Sequence, residues 1–210
     1  CESAKYTKKV AQYHQYYGVN KAVEATRRAV KPKGDGKIGV FWHTQGSGKS
    51  LSMVFYVNKT KVLQELKSPT FVFLTDRNDL DGQLHKTFAR TGYPSAWQAP
   101  SVPALRERLK TPSGVVFTTI QKFADEEDEL AGGLSRAENV IVIADEAHRS
   151  QYATFAGNVR EALPNASFMG ITGTPISTES RDTELVFGKY ISTYKINQAA
   201  KDGATVLIFY

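Results

Sequence analysis

Residues suited to handling a polyphosphate occur twice in this sequence, far apart in the chain. The first group is Trp42-His43-Thr44-Gln45-Gly46-Ser47-Gly48-Lys49-Ser50. A short apolar run, Ile38–Trp42, stops abruptly there, and a mixed apolar run begins at Leu51; that is the order strand, loop, helix. Gly46 and Gly48 admit backbone angles that other residues avoid and leave room for a ligand's close approach. Backbone N–H groups along Thr44, Gln45, Gly46, Ser47 and Gly48 would point inward and bind anions, helped by the partial positive charge of the helix start. Lys49 would neutralise the β- and γ-phosphates of a nucleotide, and Ser50 would offer its hydroxyl to Mg²⁺. The strict pattern for such a cradle opens on glycine, whereas this one opens on His43. A glycine-rich turn with a surface lysine is the plain alternative, and a second motif argues against it.

That motif is Asp145-Glu146, directly after the apolar run Val140–Ile143. A carboxylate at the end of a buried strand is costly unless something at the sheet edge needs it. Phosphoryl chemistry on ATP needs Mg²⁺, held by the cradle hydroxyl and by such an aspartate. Asp145 would hold the metal, and Glu146 would orient or deprotonate the attacking water. A kinase would need a bound hydroxyl acceptor, for which no candidate is visible, so hydrolysis is favoured over transfer.

The elements that must position these groups are legible as a rhythm. Apolar runs at 38–42, 71–74, 115–117, 140–143 and 167–171 each end in small, polar or charged residues. Helical stretches are expected over 5–31, with Gly18 bending or dividing the element, over 50–66, from 78 to about 88, over 104–110 and over 153–163. Residues 91–101 carry loop cues, 125–129 form an acidic run in a solvated loop, 176–203 are poorly readable, and 204–209 look strand-like. Strands separated by helices run parallel and present all their C-terminal ends on one edge, where open α/β sheets bind ligands. The fold class expected is therefore α/β, a mostly parallel sheet in three layers. Lys49, Arg77, Thr119, Asp145, Glu146 and Thr174 should share its ligand edge.

Bulk properties narrow the class. The chain has 210 residues, 41% hydrophobic and 23% charged, enough for one well-buried domain. No apolar run is long enough for a membrane span, and no signal peptide is visible. One cysteine, Cys1, excludes an internal disulfide framework, and no Cys/His cluster suggests structural zinc. The first residue is not Met, which suggests a processed product or a piece of something longer. Net charge is +6, and residues 1–35 hold eight Lys/Arg against three acids. That basic face would attract a polyanion, although a solvated helix surface explains it as well.

Together the motifs resemble those of superfamily 2 helicases and translocases. Asp145-Glu146-Ala147-His148 is similar to their DEAH motif II, His43–Ser50 to motif I, Thr172-Gly173-Thr174-Pro175 to motif III, Leu74–Gln83 to motif Ia and Thr118–Lys122 to motif Ib. The surrounding residues narrow the likeness. Trp42–Ser50, Thr75-Asp76-Arg77-Asn78-Asp79-Leu80, Ala144–Tyr152, Gly170–Ile176, Val186–Ile191 and Asp202–Val206 closely resemble the restriction subunit of type I restriction–modification enzymes. The likeness covers nearly the whole chain.

The resemblance implies a RecA-like P-loop NTPase lobe over 37–210, preceded by an N-terminal helical segment over 1–36. ATP and Mg²⁺ would be bound, and hydrolysis would drive translocation along double-stranded DNA before cleavage. Gln15, in Tyr13–Ala22, would read the adenine edge, although Gln12 stands where many relatives carry arginine. His148, Thr172 and Thr174 would couple the nucleotide site to DNA; Arg77, Thr119 and Lys122 would grip its phosphates. The partners implied are methylation and specificity subunits, in the cytoplasm of a bacterium or archaeon and without a membrane. The nuclease domain and second motor lobe are expected to lie outside these residues. Two other readings stay open: the ATPase lobe of another superfamily 2 helicase, and a nucleotide-binding module without turnover.

Overall fold

Apolar runs flanked by helices assemble here into one sheet. The computed structural model describes residues 7–75, 78–93, 96–110, 114–123, 133–147, 157–174 and 180–205, and the side chains among them except those of 78–83 and 180–182. Strands β1 (Lys37–His43), β2 (Thr70–Thr75), β3 (Trp97–Gln98), β4 (Gly114–Thr119), β5 (Val140–Ala144), β6 (Ser167–Thr172) and β7 (Tyr190–Tyr194) form a seven-stranded sheet in the order β3-β4-β2-β5-β6-β1-β7. Every neighbouring pair is parallel.

Helices α1 (Tyr13–Ala29), α2 (Lys49–Thr60), α3 (Asn78–Arg90), α4 (Val102–Lys110), α5 (157–162), α6 (Ser180–Phe187) and α7 (Ile196–Lys201) accompany the sheet. Alternation along each strand divides the core in two. Phe71 and Phe73 of β2, Ile141 and Ile143 of β5 and Met169 and Ile171 of β6 pack on the face covered by α1, α2 and α3. Val72, Leu74, Val140, Val142 and Phe168 pack on the other, against α4 and α5. Strands buried on both faces read as continuous apolar runs, which is why these were visible in the sequence.

The first helix is shorter than its periodicity suggested. Residues 7–12 are not helical, because Gln12 is extended and its N–H is taken by the Gln15 carboxamide oxygen at 2.9 Å. Gly18 does not divide α1, which runs unbroken through it. It lets the helix approach β1, since a Cβ there would lie 2.9 Å from the Phe41 ring and from Ser192 Oγ. Helix α2 ends at Thr60 rather than near Leu66, and a single 3₁₀ turn, Gln64–Leu66, follows before Lys67 and Ser68 take left-handed angles.

The loop cues at 91–101 conceal the two-residue edge strand β3. The unreadable stretch 176–203 holds α6, β7 and α7. Most of the expected strand at 204–209, the start of the helix expected from Ala153, and the acidic run at 125–129 lie outside the described residues. Among the described residues no helix is long and apolar enough to cross a membrane.

Candidate functional site

The cradle stands between β1 and α2, built by left-handed glycines. Gly46 has φ +80° and Gly48 φ +76°, angles that L side chains adopt only under strain. Thr44 opens the loop with its N–H on the Tyr194 carbonyl at 3.0 Å. Ser47 closes back on it, its hydroxyl donating to the Thr44 carbonyl at 2.6 Å. Gly48 caps α2, and its carbonyl accepts the Ser52 N–H at 3.1 Å. Lys49 and Ser50 are thus the first two helical residues, at the end where backbone N–H groups lack intrahelical partners.

The Lys49 ammonium is held loosely. It lies 3.4 Å from the Thr44 carbonyl, longer than an ordinary N–H···O bond. Burial depresses its pKa, and the charges of Glu146 and Asp145 oppose that shift. A partly buried cation with so weak an acceptor suits an anionic ligand. Ser50 follows it at the start of α2, and the Asp145 charge acts on it; hydroxyl and carboxylate are hard oxygen donors of the kind Mg²⁺ takes. The donor set therefore fits a polyphosphate with its metal ion.

The carboxylate pair is brought to the cradle by the order of the strands. β6 alone lies between β1 and β5, with Trp42 level with Thr172 and Ala144 level with Gly170. The Asp145 N–H is held by the Leu74 carbonyl at 2.9 Å, and the Ala147 N–H by the Ile171 carbonyl at 2.9 Å. Between them Glu146 takes φ +51°, an unfavourable angle for a side chain with a Cβ, and its N–H is met by Asp145 Oδ1 at 2.9 Å. Such strain persists only where the surroundings over-determine it. It falls between the two carboxylates at the end of β5, the residues to which the sequence assigns two different tasks.

The β6 end closes the site. A Cβ on Gly173 would lie 2.8 Å from Lys49 Nζ and 3.2 Å from Gln45 Cγ, so a side chain there would displace the lysine from its present place. Gly173 stands within a motif but carries no role there; its closeness to the lysine is something spacing does not show. Thr172 is buried, and its hydroxyl meets the Thr174 carbonyl at 3.2 Å and N–H at 3.3 Å, while Thr174 is exposed. Thr119 ends β4, on the same edge. Lys122, just beyond, donates to the Ala99 carbonyl. Arg77 and His148 lie outside the described residues.

The N-terminal residues roof the cradle. Gln15 is buried, and its carboxamide bridges two backbones: the oxygen accepts the Gln12 N–H, and Nε2 donates to the Gly48 carbonyl at 3.0 Å. His14 is also buried and lies against the Ser47 carbonyl at 3.0 Å, a contact the sequence did not reveal. His43, in the position of the missing glycine, packs its ring 4.0 Å from Phe41 and meets Ser192 Oγ at 2.8 Å. Burial, followed by the charges of His14 and Lys49, lowers its pKa to about 3, so this imidazole is neutral.

Comparison with known proteins agrees with this geometry. The SWI2/SNF2 ATPase family model matches residues 14–210. The chain belongs to the SWI2/SNF2 ATPase family. Membership of that family carries nucleotide use with it. This SWI2/SNF2 chain is 52% identical to the type I restriction enzyme HindI endonuclease subunit of Haemophilus influenzae, over 97% of the chain and 21% of that protein. It is 47% identical to a putative type I restriction enzyme endonuclease subunit, MjaIXP, of Methanocaldococcus jannaschii, over 96% of the chain and 20% of that protein. The chain thus spans about a fifth of the length of these relatives. A nuclease-deletion mutant of the type ISP restriction–modification enzyme LlaGI, solved with a DNA substrate mimic, superposes with TM-score 0.63 at 17% identity, over 94% of this chain and 21% of that one. The fold is that of a RecA-like helicase domain, and the likeness to type I restriction subunits read from the motifs holds along the chain.

Proposed function

We propose that this chain is the ATP-binding motor lobe of a type I restriction endonuclease subunit, coupling ATP hydrolysis to movement along double-stranded DNA before cleavage. One observation carries the reading: the glycine cradle and the Asp145-Glu146 pair flank a single strand, with Lys49 against the glycine that ends it. The 52% identity to a restriction subunit supports the choice of parent.

Backbone N–H groups from Thr44 to Gly48 and the Lys49 ammonium bind the phosphates. Ser50 and Asp145 would hold Mg²⁺, which supplies positive charge to the phosphate oxygens. Glu146 accepts the proton of the attacking water on its carboxylate. Gln15 reads the adenine edge by exchanging one of its present backbone bonds. His148, Thr172 and Thr174 couple this site to DNA, and Arg77, Thr119 and Lys122 meet duplex phosphates. A motor that must ignore sequence contacts the backbone rather than the bases.

The division into 1–36 and 37–210 is functional, adenine reading before phosphate binding, since α1 packs into the same core as β1 and α2. Cleavage, a second motor lobe, and docking to methylation and specificity subunits belong to the rest of the protein, in the cytoplasm.

Lys49→Ala in the full-length protein should abolish ATP hydrolysis, and unchanged hydrolysis would refute the cradle. Glu146→Gln should keep ATP affinity near wild type while turnover falls about 10²- to 10⁴-fold, the usual range for a general base. Equal losses of binding and turnover would remove Glu146 from that role. Strand-displacement assays separate translocation from unwinding by another kind of helicase.

A further inference from the structure

A carboxylate just beyond α7 gathers donors from both ends of the chain. Asp202 Oδ2 accepts the Tyr194 hydroxyl at 2.6 Å and the Tyr13 hydroxyl as well, while Oδ1 accepts Gln198 Nε2 at 2.8 Å. The Tyr13 and Tyr194 hydroxyls hold the carboxyl below the usual carboxylate range. Three elements, the start of α1, the end of β7 and the end of α7, meet on this one group.

The rings continue the connection inward. Tyr194 lies flat on the His14 imidazole, centroids 3.9 Å apart and planes 5° from parallel. Tyr13 meets His14 edge-on at 5.6 Å and Tyr194 edge-on at 6.3 Å. His14 Nε2 then lies 3.0 Å from the Ser47 carbonyl oxygen, and since a carbonyl only accepts, Nε2 carries the hydrogen. The backbone of the same tyrosine holds the start of the cradle, through the Thr44 N–H on the Tyr194 carbonyl. The segment after Asp202 returns over the loop: a Cβ on Gly46 would touch the Ala204 carbonyl and Thr205 Oγ1, each at 3.5 Å.

We propose that Asp202, acting through Tyr13, Tyr194 and His14, is the positioning group of the phosphate cradle. The reason lies in the peptide plane. In a trans peptide the carbonyl and the following N–H point in opposite directions. A donor fixed on the Ser47 carbonyl, outside the loop, therefore turns the Gly48 N–H inward, where a phosphate oxygen would sit. Gln15 does the same one residue on, its Nε2 on the Gly48 carbonyl orienting the Lys49 N–H. His14 performs this only while its ring plane is held, and Tyr194, pinned by Asp202, holds it. Asp202, Tyr13, Tyr194 and His14 thus pre-organise the cradle from outside and need not touch nucleotide.

This inference rests on the reading that the loop binds triphosphate, and the test separates the two. ATP and inorganic tripolyphosphate are each titrated against a fluorescent ATP analogue on the full-length protein, with wild type, Asp202→Ala, Asp202→Asn and Lys49→Ala. Asp202→Ala is expected to weaken both ligands about fivefold, the effect of one misplaced hydrogen bond, with turnover at saturating ATP close to wild type. Asp202→Asn keeps an accepting oxygen and should recover most of the loss. Where Asp202→Ala fails to fold, Tyr194→Phe keeps the ring on His14, removes one hydroxyl, and should show the same paired loss. Loss of ATP affinity with tripolyphosphate unchanged would place the group at the base end and overturn the proposal, as would no loss for either ligand. Should Lys49→Ala itself leave both affinities intact, the failure lies with the cradle reading instead.

Discussion

His43 replaces the first glycine of the strict cradle pattern, and its buried, neutral imidazole makes a measurable demand on the protein. Its folded pKa of about 3 lies below the ordinary 6.5. Below pH 6.5 the unfolded chain takes up a proton that the folded chain refuses, so stability is fully present above that pH. It drains away as pH falls toward the folded value. The slope contributed is at most about 1.4 kcal/mol per pH unit within that window. Urea midpoints measured from pH 8 to pH 5 should therefore fall below pH 6.5, and His43→Asn should remove that part of the slope. Equal slopes in the two proteins would mean that the imidazole is solvated or protonated in the fold. The substitution of histidine for glycine also has a packing logic: the ring fills the space between Phe41 and Ser192.

At the scale of elements, α1 sits as close to β1 as it does because residue 18 has no side chain. Gly18→Ala gains about 1 kcal/mol of helix propensity but drives a methyl group to 2.9 Å from a wholly buried phenylalanine ring. Overpacking of that kind costs about 1–3 kcal/mol, so the steric term wins. The net loss, up to about 2 kcal/mol, should lower the melting temperature by up to about 8 °C, and a higher one would show that the helix can move away. Such closeness explains what the sequence could and could not disclose. Strands such as Phe71–Leu74 and Val140–Ile143 were legible because burial on both faces leaves no polar alternation, and each ends in small, polar or charged residues. Tyr190–Tyr194 was not, because β7 is an edge strand, half-exposed on most positions, and its pattern is blurred. The cradle residues Gly46 to Ser50 and the Asp145-Glu146 pair announced themselves through type and spacing. Asp202, Tyr13, Tyr194 and Gly173 did not, because what defines them is proximity between parts of the chain far apart in sequence. A helix period likewise overran its true start, since nothing in Lys8–Gln12 shows that a carboxamide three residues ahead takes the Gln12 N–H.

For the molecule as a whole, the proposed grip on duplex phosphates must depend on salt. The logarithm of the DNA association constant should fall linearly with the logarithm of salt concentration, by about 0.9 per phosphate engaged. Lys122→Ala should reduce that slope by about one, equally for unrelated sequences. An unchanged slope would leave Lys122 with the task visible here, tying the 3₁₀ turn after β4 to the Ala99 carbonyl. The order of the strands has a further consequence, for synthesis on the ribosome. The strand that carries the cradle is the first of the seven to be made, yet its neighbours are β6 and β7: Lys37 pairs with Phe168, and Val40 with Tyr190. At about 5–20 residues per second, translation of the intervening chain takes on the order of ten seconds. Throughout that interval Ile38, Val40 and Phe41 form an emerged strand with neither edge satisfied, a natural client for a nascent-chain chaperone and the segment most exposed to mispairing on crowded polysomes.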